Sequence, residues 1–333
     1  MIIVIKPGVS GDASAPVFDY ISSKGADYEV SKMPQGDIIC VKDGAMALDA
    51  AFLEGLDAVS SVMRVTEPYK LAGRKFHPGD SIIDAAGKRF GGGEFQIIAG
   101  PCTVESGKQL NSIACAVKDS GAGLLRGGAY KPRTSPYDFQ GLRETGLKLL
   151  SEAKALTGLP TVSEVMLPEH IPLFADVDVL QVGARNMQNF ELLKALSRTD
   201  KPILLKRGFG NTVKELLTAA EYIMAGGNEK VILCERGIRS FEPSTRNTLD
   251  LSAVPVIHKL SHLPVIVDPS HAAGYSAYVE PLALAAAAAG ADGLIIEVHA
   301  EPGKAMCDGG QAVSPAVLAD IVRKANAIRQ IIL

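Results

Sequence analysis

The sequence has no excess of basic charge. Its 333 residues carry a formal net charge of −3 at pH 7, from 34 lysines and arginines against 37 aspartates and glutamates. Proteins that bind nucleic acid electrostatically need a basic surface to neutralise phosphates. The charge balance therefore argues against a nucleic-acid partner, and any cationic site must be built locally.

The sequence also lacks paired cysteines and long apolar segments. Its five cysteines are scattered without a Cys-x-x-Cys spacing, which argues against a disulfide framework or a zinc knuckle. The apolar run at residues 2–5 is too short for a signal peptide, and the run at 282–291 is too short to span a bilayer. We therefore expect a cytoplasmic protein with no membrane partner, in which Cys40 and Cys115 are core residues.

The first 65 residues alternate between short strands and helices. The apolar pattern predicts strands at 2–5, 28–31, 38–41 and 59–65 and helices at 13–24 and 46–54. This order predicts a small ferredoxin-like α+β domain over residues 1–65. Because such a sheet has open edges, it suits ligand sensing or dimerisation better than catalysis. A domain that serves only folding is the alternative, since a fold alone does not fix a function. Prolines and the run Gly91-Gly92-Gly93 predict a linker and a barrel-capping hairpin at 66–93.

Residues 94–333 contain eight short apolar runs with helical segments between them. The predicted strands are 95–98, 123–125, 161–162, 179–182, 203–205, 231–233, 265–267 and 293–296. Eight strand-helix units in about 240 residues are typical of a catalytic (β/α)8 barrel, the TIM barrel. An open doubly wound sheet is the alternative, but the first strand ends in Gly100-Pro101-Cys102 rather than in a glycine-rich phosphate loop.

Cationic residues follow the predicted barrel strands. In such a barrel the loops after the strands form the active face. The cations expected there are Arg126, Lys131, Arg133, Arg185, Lys206 and Arg236. Guanidinium groups bind phosphates and carboxylates bidentately, and lysine supplies a compact charge. The pattern predicts a site for two phosphates and a carboxylate.

A second group near the same strand ends carries metal-binding atoms. Its members are Cys102, His271, Glu297 and Asp308. A thiolate, an imidazole and two carboxylates suit one divalent metal ion, and this mixed donor set does not select among Mn, Fe, Co and Zn. Cys307 is a competing thiol next to Asp308.

Several strings resemble the 3-deoxy-D-arabino-heptulosonate 7-phosphate (DAHP) synthase family, and the resemblance covers essentially the whole chain. They are the segments 98–102, 125–136 (Leu-Arg-Gly-Gly-Ala-Tyr-Lys-Pro-Arg-Thr-Ser-Pro), 183–186, 205–208, 234–237 and 268–271. The sequence looks most like the type I beta branch, which has an N-terminal ferredoxin-like regulatory domain.

The resemblance implies a metal-dependent aldol-type condensation of phosphoenolpyruvate with erythrose 4-phosphate, the first step of the shikimate pathway. It assigns Cys102, His271, Glu297 and Asp308 to the metal. It assigns phosphoenolpyruvate to Arg126, Lys131, Ala184, Arg185, Lys206 and Arg236, and the tetrose phosphate to Lys131, Pro132, Arg133 and Thr134. Ser135, the next residue, is a further expected substrate-binding residue. Lys131, Glu164 and His271 are the expected catalytic residues, with Lys131 moving a proton to the new alkoxide and Glu164 handling the water.

Three alternatives stay open from the sequence. A 3-deoxy-D-manno-octulosonate 8-phosphate synthase would use arabinose 5-phosphate instead, but the Pro132-Arg133-Thr134 string favours the tetrose. A Schiff-base aldolase would use Lys206 as its nucleophile and leave the metal donors idle. A catalytically inactive sensor would keep only the binding functions.

The resemblance further implies a homotetramer and feedback inhibition by an aromatic amino acid at the N-terminal domain. We expect effector contacts near Tyr28, Glu29 and Ser31, where the negative charge of Glu29 leaves the identity of the effector open.

Overall fold

The structure, a computed structural model, describes residues 1–9, 11–32, 36–64, 67–133 and 135–332. The predicted site residue Thr134 and the predicted strand residue Val65 lie outside these ranges. The chain forms two compact units, Met1–Gly79 and Asp80–Leu333. Residues 67–79 of the predicted linker thus pack with the first unit, and the hairpin belongs to the second.

The first unit has the element order βαββαβ. Its elements are β1 (Ile2–Ile5), α1 (Ala15–Ser23), β2 (Asp27–Ser31), β3 (Ile38–Asp43), α2 (Ala50–Glu54) and β4 (Val59–Met63). The four strands form one antiparallel sheet in the order β2-β3-β1-β4. This is the ferredoxin-like arrangement that the sequence predicts.

Both faces of this sheet are covered within the first unit. Ile3 and Ile5 belong to the apolar core that includes residues of the helices, whereas Ile2 on the opposite face packs with Cys40 and Phe76. Successive side chains of a strand point to opposite faces, so a strand covered on both sides reads as a continuous apolar run.

The second helix begins later than the sequence predicts. A 3₁₀ turn occupies Ala45–Ala47, and α2 begins only at Ala50. The carboxylate of Asp49 accepts hydrogen bonds from the backbone N–H groups of Ala51 and Phe52, at 2.9 and 3.4 Å. An aspartate in this position caps a helix, so the capping residue rather than the apolar pattern decides where the helix starts.

The second unit is a closed parallel barrel preceded by a two-stranded hairpin, and the predicted fold class is confirmed. The hairpin strands are β5 (Ile83–Ala85) and β6 (Lys88–Phe90). The barrel strands are β7 (Gln96–Gly100), β8 (Leu124–Arg126), β9 (Thr161–Glu164), β10 (Val179–Val182), β11 (Ile203–Lys206), β12 (Val231–Glu235), β13 (Val265–Val267) and β14 (Gly293–Glu297). The helices are α3 (Gly107–Asp119), α4 (Glu144–Thr157), α5 (Phe190–Leu196), α6 (Val213–Ala225), α7 (Ala253–Leu260), α8 (Pro269–Ala273), α9 (Ser276–Ala288) and α10 (Pro315–Ile332).

The hairpin closes the amino-terminal end of the barrel. Ile83, Ala85 and Phe90 share one apolar cluster with the inward-pointing residues of the barrel strands. The backbone N–H of Ser81 donates to the carbonyl of His262, just before β13 begins. The hairpin therefore leaves the carboxyl ends of the strands open for a site.

The expectation that Cys115 is a core residue is wrong. Cys115 lies on α3 and is exposed, because the buried face of this helix carries Leu110, Ile113, Ala114 and Val117. Cys40 is buried, as predicted. Among the described residues, we find no helix of sufficient length and apolar character to cross a bilayer.

Candidate active site

The site lies at the carboxyl ends of the barrel strands. Arg126, Glu164, Lys206 and Glu297 are each the last residue of a strand. The strands thus extend one residue further than predicted at Arg126, Lys206 and Glu297, and two residues further at Glu164. The last residue of a strand still pairs with its neighbours, so its side chain is presented from rigid backbone. A polar pocket opens at this rim and is lined by Lys131, Pro132, Arg133, Asp138, Glu164, Gln181, Gly183, Ala184, Arg185, Lys206, Phe209, Arg236, Arg246, His271 and Asp308.

The four predicted metal donors come together at one side of this pocket. One ligand atom from each of Cys102, His271, Glu297 and Asp308 lies within 4.8 Å of all the others. The thiol of Cys102 lies 3.3 Å from Oδ2 of Asp308, and Nε2 of His271 lies 3.3 Å from Oε1 of Glu297. Cys102 follows β7, Glu297 is the last residue of β14, and Asp308 lies in the loop after it. These two strands are hydrogen-bonded neighbours in the closed barrel.

Asp268 orients the imidazole of His271. Oδ2 of Asp268 lies 2.7 Å from Nδ1 of His271, and Oδ1 accepts the backbone N–H of the same histidine at 2.9 Å. A carboxylate acceptor at Nδ1 places the ring proton there and leaves the lone pair of Nε2 directed toward the other donors. Burial lowers the pKa of His271, which favours the neutral ring that a metal requires.

The acidic donors differ in their charge states. Burial raises the pKa of the Cys102 thiol well above its ordinary value. Burial would also raise the pKa of Glu297, but His271 and Arg126 outweigh it, so the pKa of this carboxyl is lowered. Burial would raise the pKa of Asp308 as well, but His271 and Arg246 outweigh it, so this pKa is also lowered and the group combines two ionised carboxylates with a protonated thiol.

This arrangement fits a divalent transition metal. Sulfur, imidazole nitrogen and carboxylate oxygen converge on one point, and the histidine has the orientation that a ligand needs. A cation at that point would favour ionisation of Cys102 and offset the charges of Glu297 and Asp308.

Two buried cations next to the donor group have acidic partners. Arg126 pairs with Glu297, and Lys206 pairs with Asp268. All four side chains are at most 4% exposed. A buried ion pair of this kind keeps its charged groups in fixed positions, because separating them would leave an uncompensated charge.

Two further arginines offer positive charge to the pocket. Among the ion pairs of the described part of the chain, none involves Arg185 or Arg236. Both guanidinium groups lie over the ring of Phe209, with centroid distances of 5.3 and 4.7 Å. Stacking on an aromatic ring orients a guanidinium. Arg236 is held further by hydrogen bonds from Nη1 to the carbonyl of Gly237 at 3.3 Å and from Nη2 to that of His271 at 3.1 Å. Neither guanidinium has an acidic partner among the described residues, so the pair is suited to an anionic ligand.

The predicted tetrose segment contributes to another part of the pocket. Lys131, Pro132 and Arg133 line it, whereas Ser135 is not among the lining residues and its hydroxyl accepts the backbone N–H of Tyr137. Arg133 contacts Asp138 at 3.1 Å and the Cys307 sulfur at 3.0 Å. Cys307, the competing thiol, therefore contacts an arginine and is absent from the metal-donor group.

The two candidate proton-transfer residues both reach the pocket. Nζ of Lys131 lies 3.0 Å from the sulfur of Cys102, and Oε2 of Glu164 accepts a hydrogen bond from Gln181 at 3.2 Å. Glu164 lies against Gly183, where an added Cβ would fall 2.0 Å from Oε1. A side chain at position 183 would therefore displace this carboxylate from its present position.

Four residues that hold this site together were not predicted from the sequence. They are Asp268, Phe209, Arg246 and Gln311. Asp268 stands three positions before His271, immediately before a proline that starts a helix, and this helix-capping pattern was a usable signal. The contacts of the other three join segments far apart in the sequence.

The fold and the site define the class: this is a (β/α)8-barrel enzyme whose rim combines cationic side chains with a cluster of one thiol, one imidazole and two carboxylates. A family model described as the DAHP synthetase I family matches residues 80–333. The chain belongs to this family.

Individual relatives agree with this assignment. A phospho-2-dehydro-3-deoxyheptonate aldolase from Thermotoga maritima is 48% identical over 325 residues, covering 97% of this chain and 96% of the relative. A 2-dehydro-3-deoxyphosphooctonate aldolase from Geobacter sp. (strain M21) is 33% identical and covers 75% of this chain and 98% of its own length. A crystal structure of the Thermotoga maritima DAHP synthase matches 99% of this chain and 97% of its own at 47% identity, with a TM-score of 0.78.

Proposed function

We propose that this enzyme condenses phosphoenolpyruvate with erythrose 4-phosphate and water to give DAHP and phosphate, and we place it in the type I beta branch of the family. The carrying observation is that the four-donor group and the pocket cations share one rim. Support also comes from the 48% identity to the Thermotoga maritima heptonate aldolase over nearly the whole chain.

We assign one divalent metal ion, Mn, Fe, Co or Zn, to Cys102, His271, Glu297 and Asp308. When bound, this ion supplies Lewis acidity that polarises the aldehyde of the tetrose. The protein contributes fixed donors, because Asp268 holds the ring of His271.

The cationic side chains hold phosphoenolpyruvate. Arg185 and Arg236, stacked on Phe209, receive its phosphate, and Arg126 and Lys206 lie deeper, next to the donor group. C3 of phosphoenolpyruvate then attacks the aldehyde carbon, positive charge develops at C2, and water adds there. The bond between C2 and the phosphate oxygen then breaks and its electrons leave with phosphate, while the hydroxyl added at C2 becomes the ketone of DAHP and gives up its proton.

Proton transfers fall to residues that reach the pocket. Lys131, whose Nζ donates to the carbonyl oxygen of Cys102 at 3.1 Å and to its sulfur at 3.0 Å, gives its proton to the new alkoxide. Glu164 takes a proton from the attacking water, and Gln181 holds its carboxylate in place. His271 acts through its position between Asp268 and Glu297.

The choice of aldose is tested by comparing erythrose 4-phosphate with arabinose 5-phosphate. We expect the larger kcat/KM with the tetrose. Arg133→Met should lower kcat/KM more than Arg143→Met, because Arg133 lines the pocket whereas Arg143 is an exposed arginine of the same loop. A larger kcat/KM with the pentose would assign the chain to octulosonate synthesis instead.

We further propose that the first unit senses an aromatic amino acid. Its β2 is an edge strand, and Glu29 on that strand pairs with Lys42 at 2.9 Å, which offsets the negative charge near Tyr28 and Ser31. Phenylalanine and tyrosine should inhibit the full chain but not a variant lacking residues 1–79, which should retain activity. Equal inhibition of both proteins would refute this role.

We also propose a homotetramer in the cytoplasm. A reducing compartment suits five cysteines that are all free thiols. Analytical ultracentrifugation gives the oligomeric state directly, and a monomer at micromolar concentration would contradict the tetramer.

A further inference from the structure

The two oxygens of Glu297 have separate partners. Oε1 accepts from Arg126, and Oε2 accepts from the side-chain amide of Gln311 at 2.6 Å. Gln311 is 2% exposed and lies in the loop after Asp308, outside the set of donors. A carboxylate held at both oxygens cannot rotate freely, so Gln311 limits where Glu297 can present a lone pair.

Gln311 is in turn fixed by Arg246. Nη1 of Arg246 donates to Oε1 of Gln311 at 2.9 Å and to Oδ1 of Asp308 at 3.2 Å. Only one orientation of the glutamine amide satisfies these contacts, because a flipped amide would place oxygen against the carboxylate and NH₂ against the guanidinium. Nη1 of Arg246 thus contacts one carboxylate of the donor group, Asp308, directly, and reaches the other, Glu297, through the buried amide of Gln311.

Arg246 is anchored to the helix that carries His271. Its backbone N–H donates to the carbonyl of Ala273 at 3.0 Å. An added Cβ at Gly274, whose φ is +75°, would lie 2.6 Å from Cβ of Arg246, so glycine is required for this close approach. The loop containing Arg246 therefore keeps Glu297 and Asp308 at fixed positions relative to His271.

We propose that Gln311 and Arg246 form a positioning pair that sets the metal affinity of the donor group without binding the metal. This inference rests on the proposed function, because it assumes that the group holds a divalent cation. Residues that orient metal ligands typically change metal affinity by about 10–100-fold when they are removed.

The test uses Gln311→Met, which keeps the side-chain length and apolar contacts but cannot donate a hydrogen bond. Gln181→Met is the matched control, because Gln181 is similarly buried at 3% exposure and donates to a different carboxylate, Glu164. Full-length proteins are stripped with EDTA and titrated with Mn²⁺ against a chelator of known affinity. Melting temperatures in EDTA report any general loss of stability.

We expect Gln311→Met to bind Mn²⁺ about 10–100-fold more weakly, and Gln181→Met to bind as the wild type does. Excess Mn²⁺ should restore turnover to the Gln311 variant. Equal affinity of Gln311→Met and wild type would overturn the inference, and so would an equal loss in Gln181→Met. A wild-type protein that binds no Mn²⁺ would overturn the proposed metal site and this inference together.

Arg246→Met provides an independent test, because the side chain of Arg246 is 37% exposed and its removal leaves no deep cavity. It should also weaken Mn²⁺ binding, and the double variant with Gln311→Met should lose less affinity than the product of the two single losses. Such non-additivity is expected when two residues act through one contact. Strict multiplication of the two losses would show that they act separately and would contradict the pair.

Discussion

Asp268→Asn is the substitution with the most sharply defined expected effect. The carboxylate is 1% exposed, accepts the backbone N–H and Nδ1 of His271, and pairs with buried Lys206. Asparagine has the same shape but only one acceptor oxygen. Its NH₂ group must face either the backbone N–H of His271 or, in the other orientation, both Nδ1 of His271 and Nζ of Lys206. In either case the ammonium of Lys206 loses its counter-charge.

The structure sets the size of this effect. Removing one partner of a buried ion pair costs about 3–5 kcal/mol. For a domain of this size, each kcal/mol lowers the melting temperature by about 2–4 °C, so the barrel transition should fall by roughly 10 °C. Loss of the carboxylate that orients His271 should also weaken metal binding by about 10–100-fold.

The effect should depend on pH in a defined direction. Burial would raise the pKa of Asp268, but His271 and Lys206 outweigh it, so its pKa in the folded protein lies well below the ordinary value. A lowered folded-state pKa stabilises the protein above the pKa of the unfolded chain, about 3.9, and this contribution is lost as the pH falls further. In EDTA-treated protein the difference between wild type and variant should be constant from neutral pH to about pH 5 and shrink below about pH 4.

Asp292→Asn is the matched control. Asp292 is also a buried carboxylate that accepts a backbone N–H, from Val265 at 2.8 Å, but it lies just before β14, at the opposite end of the barrel from the donor group. Both variants should lose stability in thermal melts, and only Asp268→Asn should lose Mn²⁺ affinity. If Asp268→Asn binds Mn²⁺ as tightly as wild type, the orienting role of Asp268 is refuted.

Three further predictions concern single groups. Metal binding at neutral pH should release about one proton, because burial raises the pKa of Cys102 and the thiol ionises only when it becomes a ligand; calorimetric heats that do not change with buffer ionisation enthalpy would contradict this. Arg236→Met should weaken phosphoenolpyruvate binding by about 10-fold or more, the value of a lost charged hydrogen bond, whereas Arg239→Met, at the same Phe209 ring but outside the pocket lining, should not; equal losses in an equilibrium binding assay would refute the assignment. Cys115 should react rapidly with an aromatic disulfide reagent and Cys40 should be protected, because Cys40 is buried and burial raises its pKa to about 11; rapid labelling of Cys40 in a Cys115→Ser variant would contradict the packing of the first unit.

The rim of the site was predictable because of a property of parallel barrels. The carboxyl ends of all eight strands meet on one face, so Arg126, Lys206 and Glu297 can be placed together without knowing any side-chain contact. The positions of these strand ends follow from the apolar runs in the sequence alone. Helix boundaries depend on single capping residues, which is why the start of α2 at Ala50 differs from the prediction.

The supporting contacts were not predictable in the same way. Arg246 meets Gln311 across 65 residues and Asp308 across 62, and neither contact follows from a local pattern. The prediction that Cys115 is buried was wrong for a different reason. Cysteine is often buried, but the position of Cys115 on α3 places it on the outward face of the helix. The sequence therefore predicts which residues reach the rim, whereas the network that fixes their orientation requires the structure.

The most direct test of the central claim is the loss of phosphoenolpyruvate, followed by its ultraviolet absorbance, with erythrose 4-phosphate as the second substrate. The assay is run on the protein as purified, after EDTA treatment, and after Mn²⁺ is restored. Turnover that is abolished by EDTA and recovered with Mn²⁺, together with release of one phosphate per DAHP formed, is the predicted result. Turnover that survives complete removal of metal, or no turnover at full Mn²⁺ occupancy, would contradict the account.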